Sequence, residues 1–215
     1  MTSREKRTYT PKEELLNSLT HGIGAGLAVA ALAILVSISG DTWRVVSFAI
    51  YGSCLVTLYL ASAFYHAFKA PGAKRIFRIL DHSAIFLLIA GSYTPITLVA
   101  MRGAWGWTLF GLIWGMALAG VVLEVFFIDR LRWLTLATYV GMGWLVIIAV
   151  KPLVDALPWG ALAWLAAGGL LYTGGVVFYI WEKLPFGHAI WHLFVLGGSA
   201  CHFFCFLFYV LPTNG

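Results

Sequence analysis

His66, His188 and His192 fall at the ends of long apolar segments. Ser62 lies one turn before His66, and Asp81 opens the next segment. Ionisable side chains beside hydrocarbon are costly to keep, so each is a functional-site candidate. His188 and His192 are i and i+4, and a helix presents both rings on one face. Two such rings can take two corners of a zinc tetrahedron, and His66 from a facing helix would supply a third. Three protein ligands leave one position for water, the pattern of a catalytic rather than a structural zinc, and zinc brings the pKa of its water to about 7. Ser62 and Asp81 are placed to orient that water or accept its proton. As a fourth ligand Asp81 would instead close the site, and spacing leaves both roles open.

Each of these histidines also has an ordinary role, as an interfacial residue or a buried hydrogen-bonding partner. The i,i+4 pair and the convergence of all three on one membrane side weigh toward a metal. His82 follows Asp81 but projects about 100° away on a helix, which leaves it a substitute ligand. His21 ends the run Glu14-x-x-Asn17-x-x-Thr20-His21, where capping or a polar network beneath the site is expected. His202 lies ten residues beyond His192, about 15 Å along a helix. It cannot share the same ion, and an interhelical hydrogen bond is expected. Glu124 is expected to snorkel or pair with a loop arginine, with a role in a water-filled cavity as the alternative. Pro95 removes the hydrogen bond to Gly91 and predicts a kink. Cys54, Cys201 and Cys205 form no Cys-x-x-Cys pair and read as small apolar residues.

The elements that must position these groups follow from composition. Of 215 residues 61% are hydrophobic and 11% charged, with a mean hydropathy of +0.88. Soluble domains carry roughly 25% charged residues. The apolar residues form blocks long enough to cross hydrocarbon, which takes about 20 residues per helix. Seven spans are predicted, at 19–39, 44–67, 77–100, 105–127, 133–151, 157–180 and 187–210. The fold class is an all-α integral membrane protein, a seven-helix bundle at 19–215 behind a polar cytoplasmic tail at 1–18. That tail is too polar and acidic for a signal peptide. Trp43, Trp105, Trp107, Trp133, Trp159 and Trp181 mark the interfaces. The odd helix count and the lack of an internal repeat argue against a duplicated transporter.

The net charge of +5 does not indicate nucleic acid. The cations sit in short loops, where they act as topology signals. Eleven Lys and Arg fall on the side of the N-terminus, including Lys69, Lys74, Arg75 and Arg78. Only Arg44, Arg102 and Lys151 fall on the other. This asymmetry predicts a cytoplasmic N-terminus and an external C-terminus. On that topology His66, Asp81, His188 and His192 all lie at cytoplasmic helix ends.

The blocks Glu14-x-x-Asn17-x-x-Thr20-His21-Gly22, Ser62-x-x-x-His66, Asp81-His82-x-x-Ile85, Ser92-Tyr93-Thr94-Pro95 and His188-x-x-Trp191-His192 together resemble the signatures of the bacterial hemolysin III family. That family belongs to the progestin and adipoQ receptor (PAQR) superfamily, which includes the adiponectin receptors. The resemblance runs from about Glu13 to Pro212. It implies seven helices, an inner N-terminus, and zinc held by His66, His188 and His192, with Asp81 and Ser62 beside the water. The long soluble N-terminal region of the eukaryotic receptors is absent, which favours a multi-pass protein of the bacterial cell (inner) membrane over a hormone receptor. Since adiponectin receptors are similar to alkaline ceramidases, the resemblance implies a zinc-dependent hydrolase of a membrane lipid amide or ester. A membrane regulator with structural zinc is the alternative. A pore-forming cytolysin is disfavoured because seven apolar spans cannot diffuse through water.

Overall fold

The computed structural model describes residues 9–128 and 130–212. Arg4, Lys6 and Arg7 of the tail and Asp129 of a loop lie outside the described residues. Among the described residues there is helix and no strand.

Helix α1 (Pro11–Ser37) begins well before residue 19. Its start is set by local chemistry: Thr10 caps the first turn, Glu13 completes a capping box, and Pro11 occupies the first turn, where its missing N–H costs nothing. Helix α2 (Thr42–Ala67) is capped by Asp41, whose carboxylate accepts from the N–H groups of Trp43 and Arg44. Helix α3 (Pro71–Pro95) opens on a proline and passes, immediately after Pro95, into a π-helical turn at Ile96–Ala100. The expected proline distortion takes that form. Helix α4 (Ala104–Phe127) starts after Gly103, whose φ of 147° is a conformation favouring glycine.

The fifth predicted span is not one helix. It runs as α5 (Arg132–Gly143), a 3₁₀ turn at Leu145–Ala149, and α6 (Val150–Ala156). Helix α7 (Trp159–Ile180) and α8 (Gly187–Cys205), which ends in a second π-helical turn at Phe206–Val210, complete the bundle. Seven helical stretches are long and apolar enough to cross a membrane. Leu27, Leu118, Phe126 and Leu170 are all more than half exposed. A water-soluble surface rarely carries so much contiguous apolar area, and lipid covers it here.

Helix α2 packs between α1 and α3, α4 packs on α3, and α8 packs on α7 and α1. Small residues permit the approach. A Cβ on Gly52 would fall 2.6 Å from Leu32, and one on Gly120 2.4 Å from the Phe86 ring. Because the helices alternate in direction, the start of α1, the end of α2 and the starts of α3 and α8 share one end of the bundle.

Candidate metal centre

At that shared end His66 closes α2, while His188 and His192 stand one turn apart at the start of α8. One ring nitrogen from each lies within 4.8 Å of the others. Ring centroids are 5.0 Å apart for His66–His188, 5.4 Å for His66–His192 and 4.6 Å for His188–His192. A tetrahedral zinc would hold its nitrogens about 3.4 Å apart, at bond lengths of about 2.05 Å. Side-chain rotations of modest size separate the two arrangements.

The hydrogen bonds around the rings decide which nitrogen faces the centre. His66 Nδ1 lies 2.6 Å from the Glu14 carboxylate, whose other oxygen accepts from Lys74 at 2.5 Å. A carboxylate only accepts, so Nδ1 carries the proton and Nε2 carries the lone pair. That Nε2 is buried and meets no protein partner. His192 Nδ1 is 3.0 Å from Thr20 Oγ1 and 3.2 Å from the Asn17 carbonyl. The Thr20 hydroxyl donates to the backbone carbonyl of Leu16 or Asn17. Nδ1 of His192 is therefore the donor, and its Nε2 is also left basic. Such partners orient metal-binding imidazoles and fix their tautomers. Buried polar atoms without partners are rare, yet His66 Nε2, Ser62 Oγ and both ring nitrogens of His21 gather here. This donor set fits a divalent cation of zinc's preferences.

Asp81 lies in α3, buried, against Ser62 and His66 of α2. Ser62 Oγ approaches its carboxylate without reaching hydrogen-bond geometry. The carboxylate oxygens do not join the three-nitrogen group.

Other expectations are corrected. His82 is outside the nitrogen group and turns its Nδ1 toward Glu124, 3.4 Å away. Glu124 neither snorkels nor pairs with a loop arginine in a direct contact: it is buried, accepts from Thr135 at 2.8 Å, and lines an internal cavity, the alternative expected for it. His21 caps nothing. Its ring stacks on His192 with centroids 3.5 Å apart and packs edge-on against Tyr59.

Glu13 was not singled out as part of the site, whereas Glu14 belongs to the polar run expected beneath it. Glu13 binds the Thr10 N–H with one carboxylate oxygen and the Phe186 N–H with the other, at 2.9 and 3.1 Å. Phe186 adopts a left-handed φ of 56° and caps α8, its carbonyl accepting from Ile190. The first turn of α1 thus pins the strained residue that launches the helix carrying His188 and His192. Glu14, Asn17 and Thr20, at intervals of three on α1, are the run that marked this network in the sequence.

A chamber of about 1100 Å³ runs from this centre through the bundle. Ser62, Asp81, His188 and His192 line one end, and apolar side chains such as Ile85, Leu88, Val146 and Leu165 line the walls. Its size and character match sites for apolar ligands oriented by a few polar groups.

Comparison with known proteins agrees with this architecture. A family described as haemolysin-III related matches residues 9–203. The chain is 51% identical to Hemolysin-3 of Bacillus cereus, over 99% of both proteins. It is 48% identical to a Hemolysin-3 homolog of Bacillus subtilis (strain 168), over 95% of this chain and 98% of the relative. It is also 30% identical to the human monocyte to macrophage differentiation factor, over 94% of this chain and 87% of that protein.

Proposed function

Because the chain belongs to the haemolysin III-related family of membrane proteins, we propose that it is a zinc-dependent hydrolase cleaving an amide or ester of a membrane lipid. One observation carries this reading. Imidazoles from α2 and α8, with Nε2 of His66 and His192 left basic, sit beside a buried carboxyl at the end of an apolar chamber. Held by His66, His188 and His192, zinc would supply Lewis acidity and an acidified water.

The chain's own groups would do the rest. Asp81 would take a proton from the attacking water and return it to the departing nitrogen or oxygen. Ser62, beside it, would orient that water. Glu14 would keep His66 in its Nδ1–H tautomer, and Thr20 and Asn17 would do the same for His192. The apolar walls would hold the acyl chain and exclude bulk water. The water oxygen bonds to the carbonyl carbon, the C–N or C–O bond breaks, and a fatty acid leaves with an amine or alcohol. The asymmetry of Lys and Arg supports a bacterial cell membrane location with this end facing the cytoplasm.

Purified protein should release fatty acid from a long-chain N-acyl amide or an acylglycerol ester. Asp81→Asn should stop the release while zinc is retained. Zinc without turnover on either substrate class, together with a cellular phenotype indifferent to His66→Ala, would remove the hydrolase.

A second reading also has support. The three histidines come from two helices braced by a third, so zinc there would staple α1, α2 and α8. On that account the protein is a non-enzymatic membrane regulator. Chelation would lower its melting temperature in detergent, and Asp81→Asn would leave its function intact.

A further inference from the structure

A carbonyl oxygen only accepts hydrogen bonds, so an acyl ligand seated at the histidine cluster needs donors there. The Nε2 atoms of His66 and His192 present lone pairs, and Asp81 is the base of the proposed reaction. Two phenols supply open donors. On α2, Leu58, Ser62 and Tyr65 recur at i, i+4 and i+7, the spacing of one helix face, and all three line the chamber. On α7, Tyr172, Val176 and Tyr179 repeat that spacing and line it too. Tyr65 and Tyr179 come last in their rows, which places both at the end of the bundle that holds the histidines. Among the described residues neither hydroxyl has a hydrogen-bond partner, yet neither is sealed from solvent as Ser62 Oγ and His66 Nε2 are.

Each ring is held between a histidine of the cluster and a cation. The Tyr65 ring lies 4.6 Å from that of His66, with the Lys74 ammonium 5.0 Å from its centroid. The Tyr179 ring lies 6.0 Å from that of His188, with the Arg132 guanidinium 5.4 Å from its centroid. A cation over a phenol ring is attracted to its π face. Both cations are themselves fixed, Lys74 by Glu14 and Arg132 by Glu182. Both hydroxyls lie within charge-interaction range of the Asp81 carboxylate. The two phenols thus flank one polar centre from different helices. Packing alone does not call for their oxygens: phenylalanine would fill the same space, and an open hydroxyl without a protein partner adds nothing to the cohesion of the bundle.

We propose that Tyr65 and Tyr179 donate hydrogen bonds to the oxygen of a ligand's acyl head group, and bind it most tightly when that oxygen carries negative charge. In a hydrolysis the oxygen gains charge as water adds to the carbonyl carbon, and donors fixed beforehand stabilise it without reorganising. The inference deepens the hydrolase reading and rests on it for the identity of the head group, but its test is equilibrium binding and needs no turnover.

The probes are dodecylphosphonic acid, whose tetrahedral anionic head stands in for the charged oxygen, and dodecylamine, whose ammonium head has no acceptor. Each is titrated calorimetrically into the purified, zinc-supplemented full chain in detergent. Tyr65→Phe and Tyr179→Phe should each weaken phosphonate binding by about ten- to a hundredfold, the worth of a hydrogen bond to a charged group. Zinc content, melting temperature and dodecylamine affinity should stay at their wild-type values. A wild type that does not bind the phosphonate overturns the proposal, as does either Phe variant binding it like wild type. A loss shared by dodecylamine, or accompanied by a lower melting temperature, marks the rings as structural and overturns it too. Phosphonate binding that depends on the phenols, without hydrolysis, would keep the subsite and remove the hydrolase; hydrolysis with phosphonate binding unchanged in the variants would do the reverse.

Discussion

Helix α3 and the span through α5 and α6 are nearly equally apolar, yet 67% of the most apolar window of the α3 span is buried against 11% for the other. The difference lies in neighbours. Helix α3 is wedged between α2 and α4, and it carries Asp81. The α5–α6 span sits at the rim, is interrupted by a 3₁₀ turn, and offers Tyr139 and Val146 to the chamber while Ile148 lies outside it and is exposed. Hydrocarbon outside is as apolar as a neighbouring helix, so lipid can substitute for protein along that wall. The tightly packed part holds Asp81 against His66, and the loosely packed part bounds the chamber.

Four substitutions break or sharpen this contrast. The largest effect belongs to Asp81→Asn, which should lower lipid turnover by about 10²–10⁴-fold, the usual contribution of a positioned acid or base. Zinc content measured on the same preparation should not change. Next, Glu14→Gln should weaken zinc binding by about 10–100-fold in a chelator competition, because His66 loses the partner that makes its Nε2 basic. Third, Gly120→Ala drives a methyl group to within 2.4 Å of the Phe86 ring at the α3–α4 contact. It should cost about 1–3 kcal/mol of stability, read as a lower melting temperature in detergent. Smallest, Gly141→Ala in α5 meets nothing within 4 Å and should leave stability unchanged within about 0.5 kcal/mol, or raise it slightly. Were Gly141→Ala as damaging as Gly120→Ala, the two regions would not differ as described.

Much of the scaffold is legible in local patterns. Span-length apolar blocks give the seven crossings, and an i,i+4 pair places His188 and His192 on one face whatever surrounds them. Trp105, Trp107, Trp133, Trp159 and Trp181 are exposed near span ends, as interfacial residues should be. The supports of the site were harder to read because they are made by distant segments. Glu14 reaches His66 across 52 residues, Thr20 reaches His192 across 172, and Glu13 reaches Phe186 across 173. Nothing in a hydropathy profile ties the start of α1 to the start of α8. The partners of Glu124, His82 and Thr135, were hidden for the same reason, since they come from α3 and α5. The break after Gly143 carries no Pro signal at the turn itself, so a continuous fifth helix was the natural expectation.

The central claim is that His66, His188 and His192 hold one zinc ion between α2 and α8. Its most direct test is elemental analysis of purified wild type and His192→Ala, each shown to be folded by its melting curve in detergent. The account predicts one zinc per chain in the wild type and a loss of nearly all of it in the variant. Equal zinc in both proteins, or a folded wild type that binds none even when zinc is supplied, would contradict it.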